Sequence, residues 1–177
     1  IYITLIPFSL DQLYYKFVFV YKFCVVPEDN LPPPVWALRA CIAARRQSPG
    51  DWDGFLMALL RARHEERKDL GEIEMIVTIA EENGLDAGKF RTDLMDGSAL
   101  REIDESHNEA VESHGVFGTP SFVFPSGGSA VVKMGSPDTA DDSSRSLETL
   151  IALIEGQPFI GEVKRPQPPW PRGVVGG

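Results

Sequence analysis

The sequence predicts an α/β protein in which a block of helices lies between two groups of strands. Three observations support this prediction. β-Branched and aromatic residues dominate residues 1–26, apolar residues recur at helical spacing in residues 27–114, and residues 115–157 combine a hairpin pattern with one more helical segment. We expect 1–26 and 115–157 to form the sheet-based portion, 27–114 a helical insert, and 158–177 a Pro-rich C-terminal extension.

Two extended segments are predicted near the start of the chain. Residues 2–8 have the composition of a buried strand, and residues 15–25 that of a second extended segment. Asp11, Lys16 and Lys22 interrupt the apolar run, and no small-residue cleavage site follows it. A signal peptide or a membrane-spanning helix is therefore not expected, and we expect a cytoplasmic protein with no membrane partner.

Helical periodicity and capping residues predict five helices in the insert. They cover residues 35–47, 52–66, 72–83, 86–94 and 99–114. Asp51, Asp86 and Ser98 are predicted N-caps. Gly84 suits the left-handed conformation that ends many helices, and Gly115 follows the last helix of the insert. In the second helix, one apolar stripe is expected to face the core: Phe55, Leu56, Leu59 and Leu60.

The pattern returns to strands after the insert. Residues 121–124 and 130–134 flank a Pro-Ser-Gly-Gly turn, which predicts an antiparallel hairpin. A last helix is predicted over residues 144–155, and Asp141 and Asp142 precede its first turn, where negative charge is favourable.

Composition excludes several classes of function. The 177 residues contain 17 Lys and Arg against 26 Asp and Glu, a net charge of −9. Nucleic-acid binding is not expected, because that function needs a basic face. The three histidines, His64, His107 and His114, have no third ligand at a suitable spacing, so we expect no metal site and solvent-exposed or capping histidines.

One short motif carries the functional signal. Residues 115–124 read Gly-Val-Phe-Gly-Thr-Pro-Ser-Phe-Val-Phe, with Gly118, Thr119 and Pro120 directly before a predicted strand. This segment resembles the cis-proline loop of the DsbA-like branch of the thioredoxin superfamily. The tripeptide is also compatible with a proline that opens an ordinary strand in trans.

Further segments resemble the same branch in order and spacing. Residues 6–12 resemble the strand and loop that follow its redox helix, and residues 59–66, 80–86 and 90–94 resemble its helical insert. Residues 161–166 resemble a C-terminal extension of some bacterial members without export signals. The resemblance implies a thioredoxin-like sheet with an inserted helical domain, and a thiol–disulfide oxidoreductase that acts on a thiol or disulfide of a peptide or small molecule. It also implies substrate contacts by Phe117, Gly118, Thr119 and Pro120, although Phe117 could instead pack in the core.

The sequence departs from the family pattern at the catalytic motif. Members carry Cys-x-x-Cys at the start of the first helix, where a thiolate is stabilised. Here Cys24 and Cys41 are separated by 16 residues, and no catalytic residue can be identified. We expect Cys41 to be a buried packing residue and a Cys24–Cys41 disulfide to be absent. The expected explanation is that the N-terminal strand–helix unit precedes Ile1, with residues 15–25 filling its place in the sheet.

Three functions remain open at this point. The first is a DsbA-like oxidoreductase without a cofactor, catalytically incomplete in this chain. The second is a glutathione-dependent isomerase or transferase of the 2-hydroxychromene-2-carboxylate isomerase or kappa type, for which glutathione is the cofactor. The third is a non-catalytic thioredoxin-like binding module. The oligomeric state is not predicted by the sequence.

Overall fold

A computed structural model describes residues 5–8, 31–49, 52–133 and 139–161 and divides the chain into two compact units, Ile1–Thr119 and Pro120–Gly177. The first unit contains five helices: α1 (Pro33–Gln47), α2 (Asp53–His64), α3 (Ile73–Glu82), α4 (Ala87–Met95) and α5 (Ser98–His114). The second contains β1 (Ser121–Val123), β2 (Ser129–Val131) and α6 (Ala140–Gly156). All predicted helices in the insert are present.

Helix α1 is the centre of the first unit. It begins two residues earlier than predicted, with prolines in its first turn. Proline is tolerated there because the N–H that it lacks would have no hydrogen-bond partner within the helix. It packs against each of the other four helices of the unit. Its buried apolar side chains belong to one core, to which the other helices add the following residues: Phe55, Leu59, Ile76, Ile79, Phe90, Leu94, Leu100 and Ile103.

Local capping explains several of the helix boundaries. The predicted N-cap Asp86 is confirmed, since its Oδ1 accepts a hydrogen bond of 2.6 Å from the N–H of Lys89. Gly84 has a φ of 81°, as predicted, and Gly115 is also left-handed, with a φ of 64°. Ser98 is not an N-cap: it is the first helical residue of α5, and its N–H donates to Asp96 instead. Asp51 lies outside the described residues.

The turn after α2 contains a left-handed residue that is not glycine. Arg67 has a φ of 62°, and the N–H of Lys68 closes the turn on the Ala62 carbonyl at 2.9 Å. A side chain in this region costs about 1–2 kcal/mol, whereas glycine has no Cβ to clash. Arg67→Gly is therefore expected to raise the free energy of unfolding by about 0.5–1 kcal/mol, measured by urea denaturation.

The control for this prediction makes the same substitution in a helical backbone. Arg63 is exposed in the last turn of α2. Arg63→Gly should lower the free energy of unfolding by up to about 1 kcal/mol, because glycine disfavours helix. If both variants lose stability to the same extent, Arg67 does not have the left-handed conformation.

Polar contacts connect the end of α1 to α4 and α5. Arg45 pairs with Glu102, and Arg46 contacts Glu102 at 3.3 Å and Asp96 at 3.2 Å. Hydrogen bonds from Ser98 and the charge of Arg46 lower the pKa of Asp96. This carboxylate therefore stabilises the fold above about pH 4, and its contribution is lost as the pH falls through its lowered pKa.

Three expectations for the first unit need correction. Leu60 does not face the core, since 43% of its surface is exposed. His107 is fully buried rather than exposed, and its ring stacks on Phe8 with centroids 4.7 Å apart. Residues 5–8 are not in a strand. The rest of that predicted segment and the predicted segment 15–25 lie outside the described residues.

The second unit consists of a hairpin and a helix. Ser121 pairs with Val131 and Val123 with Ser129 in antiparallel register, which confirms the hairpin with shorter strands than predicted. Helix α6 begins four residues earlier than predicted, because the Thr139 hydroxyl accepts from the N–H of Asp142. In the described residues of either unit, no helix is long and apolar enough to cross a membrane.

Candidate functional site

The predicted substrate loop begins directly after α5. Gly115 ends the helix in the left-handed conformation, and its N–H donates to the Val111 carbonyl at 3.2 Å. The N–H of Val116 donates to the Ala110 carbonyl at 3.0 Å, and the Val116 side chain is buried. The start of the loop is thus fixed by two backbone hydrogen bonds and one apolar anchor.

The four predicted site residues follow this anchor. Phe117 is 71% exposed, Gly118 is half-buried, and Thr119 and Pro120 are exposed. Phe117 therefore does not pack in the core of the described structure. A phenyl ring this exposed, one residue after a buried anchor, is available to contact a ligand.

Pro120 begins the hairpin on the other side of the loop. Its carbonyl accepts a hydrogen bond of 3.0 Å from the N–H of Val132, just beyond the last paired residues of β1 and β2. Proline has no N–H to contribute to the sheet, so its position at the start of β1 loses no hydrogen bond there. The loop is consequently held by backbone hydrogen bonds at each end.

The loop is also free of charge. Residues 115–124 contain no Asp, Glu, Lys or Arg, although these residues make up 24% of the chain. An uncharged segment with an exposed aromatic ring favours apolar ligand groups over charged ones. It also adds no negative charge that would repel a thiolate.

Cys41 is the thiol whose environment the structure describes. It lies on α1, half-buried against the core, and carries a free thiol. Burial raises its pKa to about 12, and the nearby positive charge of Arg45 only partly opposes this effect. Cys41 therefore stays protonated at neutral pH, as expected for a packing residue and unlike a nucleophile.

This protonation predicts slow reaction with thiol reagents. In a Cys24→Ser background, Cys41 of the folded protein is expected to react with a disulfide reagent at least about tenfold more slowly than in urea. The thiolate is the reactive form and its fraction falls tenfold per pKa unit, while the stronger nucleophilicity of a more basic thiolate offsets only about half of that fall. The measurement is the absorbance of the released thiolate at neutral pH. Equal rates with and without urea would contradict the raised pKa.

The other candidate ligands do not form a metal site in the part of the chain that the structure describes. No group of three or more His, Cys, Asp or Glu side chains is placed to hold an ion there. His64 and His114 are exposed on separate helices. Cys24 lies outside the described residues, and the sequence contains no Cys-x-x-Cys.

Arg39 is a buried charged residue that sequence reasoning missed. It is fully buried on α1, and its guanidinium carbon lies 4.6 Å from the centre of the Trp36 ring. The i, i+3 spacing of an aromatic and an arginine was the available signal, since these side chains share a helix face. Arg39 belongs to the core of the first unit and not to the loop.

Comparison with protein families identifies the fold. The model of the DSBA-like thioredoxin domain matches residues 31–143, which include all five helices of the first unit, the loop at 115–120 and the hairpin. No curated protein matches the chain. The expected fold class, a thioredoxin-like α/β fold with a helical insertion, is confirmed. Because the match spans more than half of the sequence, the chain belongs to the DSBA-like thioredoxin domain family.

Proposed function

We propose that this protein acts in thiol–disulfide exchange on peptide or small-molecule thiols, with residues 117–120 as its substrate contact. The family is of the thiol–disulfide oxidoreductase type. The observation that carries the proposal is the position of the loop: an uncharged segment with an exposed phenyl ring lies inside the matched range. The substrate and the residues that contact it belong to the proposal.

Each loop residue has a distinct part in this proposal. The exposed ring of Phe117 contacts an apolar group of the substrate. Gly118 allows close approach of the substrate because it has no side chain, and Thr119 offers its backbone N–H and carbonyl to an extended peptide. Pro120, on the exposed side of the loop, shapes the backbone at this point through its fixed φ.

The chemistry is an exchange of sulfur partners. A thiolate attacks one sulfur of a disulfide, a mixed disulfide forms, and the other sulfur leaves as a thiolate. A second thiolate then attacks the mixed disulfide. The two attacking thiolates become joined in a new disulfide, and two electrons pass from them to the original disulfide. Cys41 is not the nucleophile in this scheme, because its raised pKa keeps it protonated.

The raised pKa of Cys41 also favours a second candidate, a non-catalytic binding module. With this thiol protonated, the described residues can bind a substrate through the loop but offer no thiolate for exchange. The two candidates share the loop and differ in turnover. Glutathione-dependent isomerisation differs from both, because it needs bound glutathione.

The test measures binding and turnover on the same protein. Binding is followed by fluorescence anisotropy of a labelled, unfolded, alkylated polypeptide, and turnover by insulin reduction with dithiothreitol. Phe117→Asp should weaken binding by about tenfold, the effect of losing roughly 1.4 kcal/mol of apolar contact. Phe159→Asp is the matched control, because Phe159 is 80% exposed and lies outside the loop, and it should change binding by less than about twofold.

The outcomes separate the candidates. Turnover that Phe117→Asp reduces supports the oxidoreductase, while binding without turnover supports the binding module. Binding of glutathione, with isomerase activity, would instead favour the glutathione-dependent isomerase or transferase. Equal binding by the wild type and Phe117→Asp would contradict the role of the loop. If residues upstream of Ile1 carry Cys-x-x-Cys, the longer protein should reduce insulin and lose that activity on Cys→Ser substitution.

A further inference from the structure

Helix α2 carries an exposed stripe on the side away from the core. Phe55, Leu59 and Ala62 are its buried residues. The opposite side presents a row of four exposed residues, called the α2 stripe below: Asp53, Met57, Leu60 and His64. Met57 is 51% exposed and Leu60 is 43% exposed, so two large apolar side chains are adjacent on one outer face.

The spacing of the α2 stripe is that of a helix-pairing seam. Its residues are separated by four, three and four positions, the alternation that keeps side chains on one line between two paired helices. Apolar residues occupy the two central positions, and charged or titratable residues occupy the two ends. Residues of this kind at this spacing indicate a helix that pairs with another helix.

The charges at the two ends indicate which helix fits. If two copies of α2 pack antiparallel about a two-fold axis between Met57 and Leu60, Met57 of each copy faces Leu60 of the other. The same operation places Asp53 of each copy opposite His64 of the other. Arg61, one turn before His64, lies beside the stripe and adds a permanent positive charge there, with its Nε donating to the Met57 carbonyl at 3.4 Å.

The α2 stripe is therefore complementary to itself in apolar contact and in charge. A two-fold interface requires this self-complementarity, and it closes after two copies instead of continuing as a filament. We propose that the α2 stripe is the interface at which two copies of this chain form an antiparallel helix-paired dimer. This inference is independent of the proposed function, since it uses no residue of the loop.

The dimer is weak because the stripe is short. A helix of 12 residues is roughly 18 Å long, so pairing along α2 alone buries less surface than a standard protein interface. We expect a dissociation constant on the order of 0.1 mM. Dimerisation should accordingly be visible only at high protein concentration.

Sedimentation equilibrium of the full chain, from about 10 μM to 1 mM, tests this proposal around the expected dissociation constant. Leu60→Glu places like charges near the two-fold axis and should weaken association at least tenfold. Met95→Glu is the matched control, since Met95 is 40% exposed on α4, and it should change association by less than about twofold. Both substitutions lie at exposed positions, and circular dichroism checks that helix content is retained.

A charge exchange tests the antiparallel geometry. Asp53→Arg alone should weaken association, because it removes the carboxylate opposite His64 of the second copy and replaces it with a positive charge. Combining Asp53→Arg with Arg61→Asp and His64→Asp reverses both ends and should restore most of the association. A merely disruptive effect at Asp53 would not be rescued in this way.

Three results would overturn the proposal. The first is a protein that stays monomeric up to about 1 mM, roughly tenfold above the expected dissociation constant. The second is a dimer that Leu60→Glu leaves intact. The third is a monomer that Leu60→Glu destabilises strongly towards urea, which would show that another segment of the same chain covers the stripe.

Discussion

Replacing Phe90 by alanine should lower the free energy of unfolding of the helical unit by about 3–5 kcal/mol. Phe90 is fully buried on α4, and its ring meets that of Phe55 on α2 edge-on, with centroids 5.3 Å apart. The substitution removes this aromatic contact and leaves a cavity that closely packed neighbours cannot fill. Urea denaturation followed by far-UV circular dichroism measures the loss.

Met95→Ala is the matched control for this prediction. Met95 ends the same helix and is 40% exposed, so its truncation creates no enclosed cavity. The free energy of unfolding should fall by less than about 0.5 kcal/mol, because the higher helix propensity of alanine offsets part of the lost contact. If Phe90→Ala and Met95→Ala lose equal stability, the Phe90 ring is not enclosed against Phe55 as the structure places it.

The helices were predictable because their signals are local. Apolar residues at three- and four-residue spacing mark each one, and residues such as Asp86 and Gly84 act on backbone groups within one turn. The errors at boundaries have equally local causes. At α6, for example, the Thr139 hydroxyl caps the helix earlier than the acidic pair at 141 and 142 suggested.

Side-chain burial was less predictable, because it depends on which helices become neighbours. Leu60 continues the apolar run of α2, yet no other helix of the described unit covers it. His107 is buried because Phe8, far away in the sequence, stacks on its ring. Neither outcome follows from spacing within one helix, since each depends on a tertiary contact or on its absence.

The candidate site likewise contains one feature that was predictable from the sequence and one that was not. The tripeptide Gly118-Thr119-Pro120 could be recognised in the sequence, and the family match confirms the DsbA-like domain that it suggested. The exposure of the neighbouring Phe117 could not be predicted, because it follows from the anchoring of Val116 and the left-handed turn at Gly115.

Helix α1 was predicted from its apolar spacing, but the burial of the charged Arg39 within it was not predicted. Arg39 is fully buried and lies against the face of the Trp36 ring. Burying a guanidinium is costly unless other groups compensate, and an aromatic face provides part of that compensation. Trp36 therefore has two roles in the core, as apolar volume and as a partner for a buried cation.

Trp36→Ala is expected to lower the free energy of unfolding by about 5 kcal/mol, the upper end of the range for such truncations. The substitution removes both the apolar volume and the aromatic partner of Arg39. Trp36→Phe should lose clearly less, since it keeps an aromatic face above Arg39. Trp52→Ala is the control of matched size: Trp52 is only half-buried against the core, so its removal leaves a smaller cavity. The measurement is urea denaturation followed by circular dichroism.

A double-mutant cycle isolates the contribution of the cation–π contact. Trp36→Ala and Arg39→Met are made separately and together, and the coupling between them should be about 1–2 kcal/mol. Coupling of this size would show that the ring stabilises the buried charge as well as filling space. If the coupling is near zero, or if Trp36→Ala costs no more than Trp52→Ala, the ring contributes apolar volume alone, and the buried charge of α1 is stabilised by its other interactions.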